Sequence, residues 1–234
     1  MSLMAWAKER LKRRLGVPSV ERALIAVRDR GFSPKVVYDV GAYHGEFATF
    51  CRRIFTPPPR VVCFEPLVSA IERLQPLEKA GDITLIPGLV GAADRDSVPF
   101  HENETASSVL GEHTTKAPTG EHPMKRLDTL IESGRAGSPP DLLKIDTQGY
   151  ELDVLKGIEQ NLPQVRMILA ELNLLDIYEG VPLLSEVVGW LAARGWVPYE
   201  ICSLIRRPLD GALWQTDFLF VQHNDPLRAD KRWG

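Results

Sequence analysis

Apolar positions recur along this chain first at helical spacing and then in short unbroken runs. Val20, Ala23, Leu24 and Val27 share one face of a predicted helix over Ser19–Arg30, with Ser19 as its cap and Gly31 as its stop. Lys35–Gly41 is a β-branched run ending at glycine and reads as a buried strand. A helix over Gly45–Phe55 follows, broken by Thr56-Pro-Pro-Pro59, and then a second strand over Arg60–Glu65. Ser69-Ala-Ile-Glu72 has capping-box spacing and predicts a helix that runs to near Gly81. Ile83–Ile86 is a third strand.

Residues 92–122 lose this rhythm. They are polar, carry His101, His113 and His122, and read mostly as loop. Regularity returns with a short helix over Lys125–Ser133, a linker over Gly134–Pro140 and a strand over Leu142–Asp146. A helix over Glu151–Lys156 closed by Gly157 and a strand over Arg166–Glu171 come next. Leu184, Val187, Val188 and Leu191 then form the inner face of a helix over Leu183–Arg194. The last two runs, Val197–Ile205 and Gln215–Gln222, are joined by too few residues for a packed crossover helix, so they should pair antiparallel. Alternating strands and helices predict an α/β fold: a mostly parallel sheet, helices on both faces and a C-terminal antiparallel hairpin. The expected division is a helical segment over 1–34, the main domain over 35–223 and a tail over 224–234.

Composition narrows the class. The 234 residues can bury a sizeable core, and 44% hydrophobic with 25% charged residues is ordinary for a globular chain. A net charge of -3 gives no electrostatic reason to expect nucleic acid. Cys51, Cys63 and Cys202 are too few and too scattered for a disulfide or zinc framework, so a reducing, cytoplasmic compartment is expected. No run is long and apolar enough to predict a transmembrane helix, and the N-terminus shows no signal-peptide core. Lys8, Arg10, Lys12, Arg13 and Arg14 form a basic run, read as a solvated helix face. The sequence leaves homo-oligomerisation open.

Candidate chemistry gathers at the ends of the predicted strands, where ligands bind in open α/β sheets. Gly41 permits a tight turn and close approach of a ligand, and Gly45 opens a helix whose free N–H groups face the same crevice. Glu65, ending the second strand beside Pro66, is placed to bind a ribose diol. Together they point to an adenosine-containing cofactor. Tyr43 stands where a dinucleotide-binding turn needs small residues, and no Tyr-x-x-x-Lys pair exists. Both features disfavour a nicotinamide oxidoreductase, the principal rival; a non-catalytic cofactor-binding module is the other.

Asp39-Val-Gly-Ala42 with Gly45, Phe64-Glu-Pro66, Leu127-Asp-Thr-Leu130, Asp217-Phe-Leu-Phe220 and above all the long block Leu143-Lys-Ile-Asp-Thr-Gln-Gly-Tyr-Glu-Leu-Asp-Val-Leu-Lys-Gly157 make the chain resemble the FkbM family of methyltransferases. The resemblance implies a Rossmann-like class I methyltransferase fold with a seven-stranded sheet. It also implies S-adenosylmethionine as cofactor and methyl transfer to a hydroxyl oxygen of a small molecule, sugar or glycan. It sets Asp39, Gly41, Ala42, Tyr43 and Gly45 against the methionine part of the cofactor, Glu65 and Pro66 on its ribose, Gly91 near the adenosine, and Ser107 and Ser108 facing cofactor or acceptor. Tyr43-His44 departs from the small polar and aliphatic pair usual there. Asp146 and Glu171, ending neighbouring strands, are the candidates to take or position the acceptor proton, with Lys144 on the same strand face as Asp146. Asp146 could instead anchor the Thr147-Gln-Gly149 turn. A divalent ion on Asp146, Glu171 and Asn173 is a variant, and no metal is expected. Tyr178 is a candidate wall of the acceptor site.

Overall fold

The computed structural model describes residues 16–103, 107–111 and 117–233. The basic run at 8–14 and His113 lie outside them. Helix α1 (Val20–Asp29) leads into strand β1 (Val36–Val40), α2 (Glu46–Ile54), β2 (Arg60–Glu65), α3 (Val68–Lys79) and β3 (Ile83–Pro87). After two short strands and their partner, described below, come α4 (Leu127–Glu132), β7 (Leu142–Ile145), α5 (Glu151–Gly157), β8 (Met167–Asn173) and α6 (Leu184–Ala192). The chain closes with β9 (Trp196–Ile201), β10 (Ile205–Arg206) and β11 (Leu213–Gln222).

The sheet runs β3-β2-β1-β7-β8-β11, with both β9 and β10 on the outer edge of β11. β1, β2, β3, β7 and β8 are parallel to one another, while β11 is antiparallel to β8. The sheet therefore has seven positions, and the seventh is one edge strand broken into two pieces around Cys202. The antiparallel end follows from the short connection at 207–212, which cannot cross back over a sheet face.

Alternation along the strands sends side chains into two cores. Tyr38, Val40, Ile145 and Ile168 pack against Leu127 and Leu130 of α4, Val154 and Leu155 of α5, and Val187 and Leu191 of α6. Val37, Val61, Cys63 and Leu169 pack on the other face against Leu24 and Val27 of α1, Ala48 and Cys51 of α2, and Leu74 of α3. Helices thus cover both faces, as a parallel sheet requires. Cys51, Cys63 and Cys202 are all free and buried.

Three local expectations are corrected. Ser19 does not cap α1 through its side chain, because its hydroxyl binds Glu21 instead. The Ser69–Glu72 capping box does not form: α3 starts one residue earlier, after Leu67, whose N–H is already held by Glu65. Lys125 belongs to a strand and not to the following helix. The stretch 92–122 is mostly irregular, as expected, but with its flanks it supplies a second sheet: β4 (Leu89–Val90), β5 (Arg95–Phe100) and β6 (Gly120–Lys125), in the order β4-β6-β5. Its inner residues Val98, Phe100 and Met124 pack on Leu67 and Ala70, forming a third apolar cluster. Within the polar stretch only Val98 and Phe100 face inward, too few to stand out as a strand pattern.

Gly157 also has a different role from a simple stop. It lies within α5, and a Cβ there would come 2.2 Å from the carbonyl oxygen of Gly91. The helix can therefore approach the β4 loop only through a glycine.

Candidate functional site

The carboxyl ends of β1, β2, β7 and β8 open into one cavity of about 590 Å³. The small sheet contributes Leu89, Val90 and Phe100 to its wall, and β11 contributes Trp214 and Gln215.

The loop after β1 is built on left-handed residues: Gly41 at φ +74°, Tyr43 at +46° and Gly45 at +80°. Gly41 is required twice over, since a Cβ would stand 1.9 Å from the Asp146 carbonyl oxygen where the β1 and β7 loops pass. Tyr43 tolerates its strained backbone because its N–H donates to Glu65 Oε2 at 2.7 Å, and its ring stacks on His44. Glu65 Oε1 accepts from the Leu67 N–H at 2.9 Å. The carboxylate is 3% exposed. Burial pushes it above its ordinary value, against the pull of those two amides. Each oxygen keeps a lone pair for a ligand hydroxyl.

Lys144 knits the floor. Its ammonium donates to the Gly41 carbonyl at 2.7 Å, lies 3.1 Å from Asp39 Oδ1 and 3.4 Å from Asp146 Oδ2. Burial works against its charge, but Asp39 and Asp146 outweigh that and hold the ammonium above its ordinary value. Asp39 is fully buried beneath it and has no hydrogen-bond partner beyond this ion pair among the described residues.

Asp146, Gln148 and Glu171 meet at the other end of the cavity. Gln148 Nε2 donates to Asp146 Oδ1 at 3.1 Å and to Glu171 Oε2 at 2.9 Å. Burial first, then the charges of Asp146, Asp217 and Glu151, raises Glu171 far above the usual carboxyl range. Glu151 sits behind them. Its Oε1 accepts from the N–H of Thr147 and of Gly149 and from the Thr147 hydroxyl, so it braces the turn from inside, which a helix-dipole role alone would not do. Burial pushes it up to about 7.

Of the residues expected at the site, Gly41, Ala42, Tyr43, Glu65, Pro66, Lys144, Asp146 and Glu171 line the cavity, as does Ser107. Four stand behind its wall. Asp39 lies under Lys144, and Gly45 packs toward Leu74 and Leu77. Gly91 packs on Met124 and Tyr150, leaving Gly88, Leu89 and Val90 at the surface of the cavity. Ser108 is buried and donates to the Gln148 carbonyl at 2.7 Å. Tyr178 is buried and donates to Gln148 Oε1, a support and not a wall. His122 pairs with Glu102 on the small sheet, and neither it nor His101 lines the cavity.

Gln148, Trp214 and Gln215 also line the cavity and were not among the residues expected there. The first was within reach, since it lies inside the most distinctive block of the chain. The others follow from the antiparallel register that sets Gln215 opposite Asn173. As for metals, no group of three or more His, Cys, Asp or Glu side chains among the described residues is placed to hold one. Asn173 Oδ1 accepts from Gln215 Nε2.

A glycine turn, a buried strand-end glutamate and a carboxyl pair thus share one cavity, and residues 39–197 carry the sequence pattern of the Methyltransferase FkbM domain. The chain belongs to the FkbM methyltransferase family. It is 30% identical over 159 residues to the hexuronic acid methyltransferase AglP of Haloferax volcanii, a match covering 64% of this chain and 62% of that protein. The chain therefore spans less than two thirds of that relative's length. The crystal structure of methyltransferase FkbM from Methylobacillus flagellatus superposes with a TM-score of 0.52 at 18% identity, covering 80% of this chain and 43% of that one. That likeness agrees on the Rossmann-like fold. Among the described residues, no helix is long and apolar enough to cross a membrane.

Proposed function

We propose that this FkbM-family protein transfers a methyl group from S-adenosylmethionine to a hydroxyl oxygen of a sugar, glycan or other small molecule. The observation that carries the reading is the shared cavity: the Glu65-anchored glycine turn and the Asp146–Glu171 pair open into the same space. A sugar acceptor is favoured by the name of the Haloferax relative, a hexuronic acid methyltransferase.

The residues present fit the cofactor. Gly41, Ala42 and Tyr43 hold its methionine end, Glu65 its ribose hydroxyls, and the apolar surface of Leu67, Leu89 and Phe100 its adenine. Bound there, S-adenosylmethionine supplies an activated methyl group on sulfur. The chain's own task is to present the acceptor oxygen in line and to remove its proton. Glu171 is raised far enough to keep its proton at neutral pH, so it donates a hydrogen bond to the acceptor and does not serve as base. Asp146, with its side chain 37% exposed and beside the Lys144 cation, takes the proton of the hydroxyl. Lys144 stays charged, steadies the Asp146 anion and fixes the Gly41 turn. No metal is included, because Glu171 Oε2 and Asn173 Oδ1 already accept from amide N–H groups. We place the reaction in the cytoplasm, in keeping with three free thiols.

The test is calorimetric titration with S-adenosylhomocysteine, followed by methyl transfer assayed on hexuronic acids and neutral sugars. Micromolar binding and labelled methyl recovered on an acceptor oxygen support the reading. A folded protein that binds no S-adenosylhomocysteine overturns it.

A further inference from the structure

We infer that Gln148 is a positioning residue of the reaction: its single side-chain amide group holds Asp146 and Glu171 side by side and aims both at the acceptor. The inference deepens the methyl-transfer reading and rests on it.

The side chain has one orientation. Its Oε1 receives the Tyr178 hydroxyl at 3.2 Å and the Gln215 amide at 3.4 Å, both donors. Its Nε2 therefore faces the two carboxyl groups, which can accept. A flipped amide would set its NH2 against the Gln215 NH2 and its oxygen against the Asp146 carboxylate. The backbone is committed as well. Gln148 sits at φ +52°, a left-handed conformation that costs a long side chain ~1–2 kcal/mol. Its carbonyl accepts from Ser108, and Gly149 beside it has no room for a Cβ, which would meet Val181 at 2.8 Å. Strain of this kind persists where surrounding structure over-determines it, and it gathers at functional sites. The Gln148 side chain thus gathers the end of β7, the end of β8, Tyr178 and β11, while its backbone carbonyl holds the loop at 108.

The consequence is chemical. Donation from Nε2 favours the charged form of whichever carboxyl group receives it. Glu171 faces Asp146, Asp217, Glu151 and Lys144, three acids and one cation. Burial first and then the acids keep it protonated, and the shared amide moderates their effect while holding Glu171 beside Asp146. Loss of the donor drives Glu171 further toward its neutral form and releases Asp146 from its place beside it.

The experiment uses the full chain with S-adenosylhomocysteine bound and two variants of similar size, Gln148→Glu and Gln148→Met. The neutral carboxylic-acid infrared band of Glu171, identified as the component lost in Glu171→Gln, is followed against pH. The expected result is a midpoint raised by about one pH unit or more in both variants, with S-adenosylhomocysteine affinity within about threefold of wild type. An unmoved midpoint, even with a lowered melting temperature, makes Gln148 a structural brace and overturns the inference. Should both substitutions unfold the chain, Tyr178→Phe, which frees the amide to turn, carries the same expectation. A shifted midpoint in a protein that methylates nothing would leave the positioning intact and remove the proposed activity, so the two failures are distinguishable.

Discussion

Replacing Glu65 by Gln changes one oxygen to NH2 and almost nothing in shape, which makes it the sharpest probe of the cofactor end. The wild-type carboxylate accepts from the Tyr43 N–H at 2.7 Å and from the Leu67 N–H at 2.9 Å. An amide has only one oxygen, so one backbone N–H must face an NH2 group whichever way the side chain turns. The variant loses one hydrogen bond to a charged group, ~1.5–3 kcal/mol, and strands a buried donor at ~1–3 kcal/mol. Part of this is offset because no charge is buried any longer, leaving a net loss of roughly 2–4 kcal/mol. In a chain of this length that lowers the melting temperature by roughly 5–15 °C. S-adenosylhomocysteine should bind at least roughly tenfold more weakly, since the ribose loses a charged acceptor. Scanning calorimetry and titration calorimetry on the same preparations read both numbers. A melting temperature unchanged within error would refute the account of the loop. A lowered melting temperature with unchanged affinity would reduce Glu65 to a brace and remove it from the binding site.

Other outcomes follow from the same geometry. Gly41→Ala places a methyl group against the Asp146 carbonyl and forces a left-handed alanine, so it should abolish S-adenosylhomocysteine binding and destabilise the fold by at least ~1–2 kcal/mol, read by calorimetry and denaturant melts. Asp146→Asn keeps the hydrogen bond from Gln148 but cannot take a proton; kcat should fall by about 10²–10⁴ with cofactor affinity little changed. Glu151 has a folded value near 7 against an ordinary 4.5, so its contribution to stability is complete below 4.5 and is lost as pH rises through 7. Across that window Glu151→Gln should remove about 3 kcal/mol of the wild-type decline, measured as the difference between two urea-stability profiles. Turnover should survive chelation by EDTA, and dependence on added magnesium would show that Asp146 and Glu171 serve as ligands.

The parallel core could be read from the sequence because its strands are unbroken apolar runs with glycines at their ends. Val37, Val61 and Leu142 declare themselves by burial on both faces. The second sheet could not. Arg95–Phe100 has one covered face and only Val98 and Phe100 to show for it. The floor of the site was readable where covalent spacing decides geometry: Lys144 and Asp146 share a strand face because they are two residues apart. The behaviour of the carboxyl pair depends on groups brought together by the fold, with Asp217 and Glu151 arriving from distant positions to raise Glu171. Position on the strand ends therefore brought Asp146 and Glu171 together as candidates, while what separates the two depends on that environment. Asp39 and Gly91 show the converse: motif residues whose part is to shape the wall from behind.

The strand inserted between β8 and the outer edge is made later than β8 itself, after α6 and β9. Until Leu213–Gln222 emerges, β8 presents seven residues of unpaired backbone, all carrying buried side chains. An exposed edge of that kind recruits other strands and aggregates. Trp214 and Gln215 arrive with the same segment, so an interrupted translation product lacks both a covered sheet and one wall of its cavity.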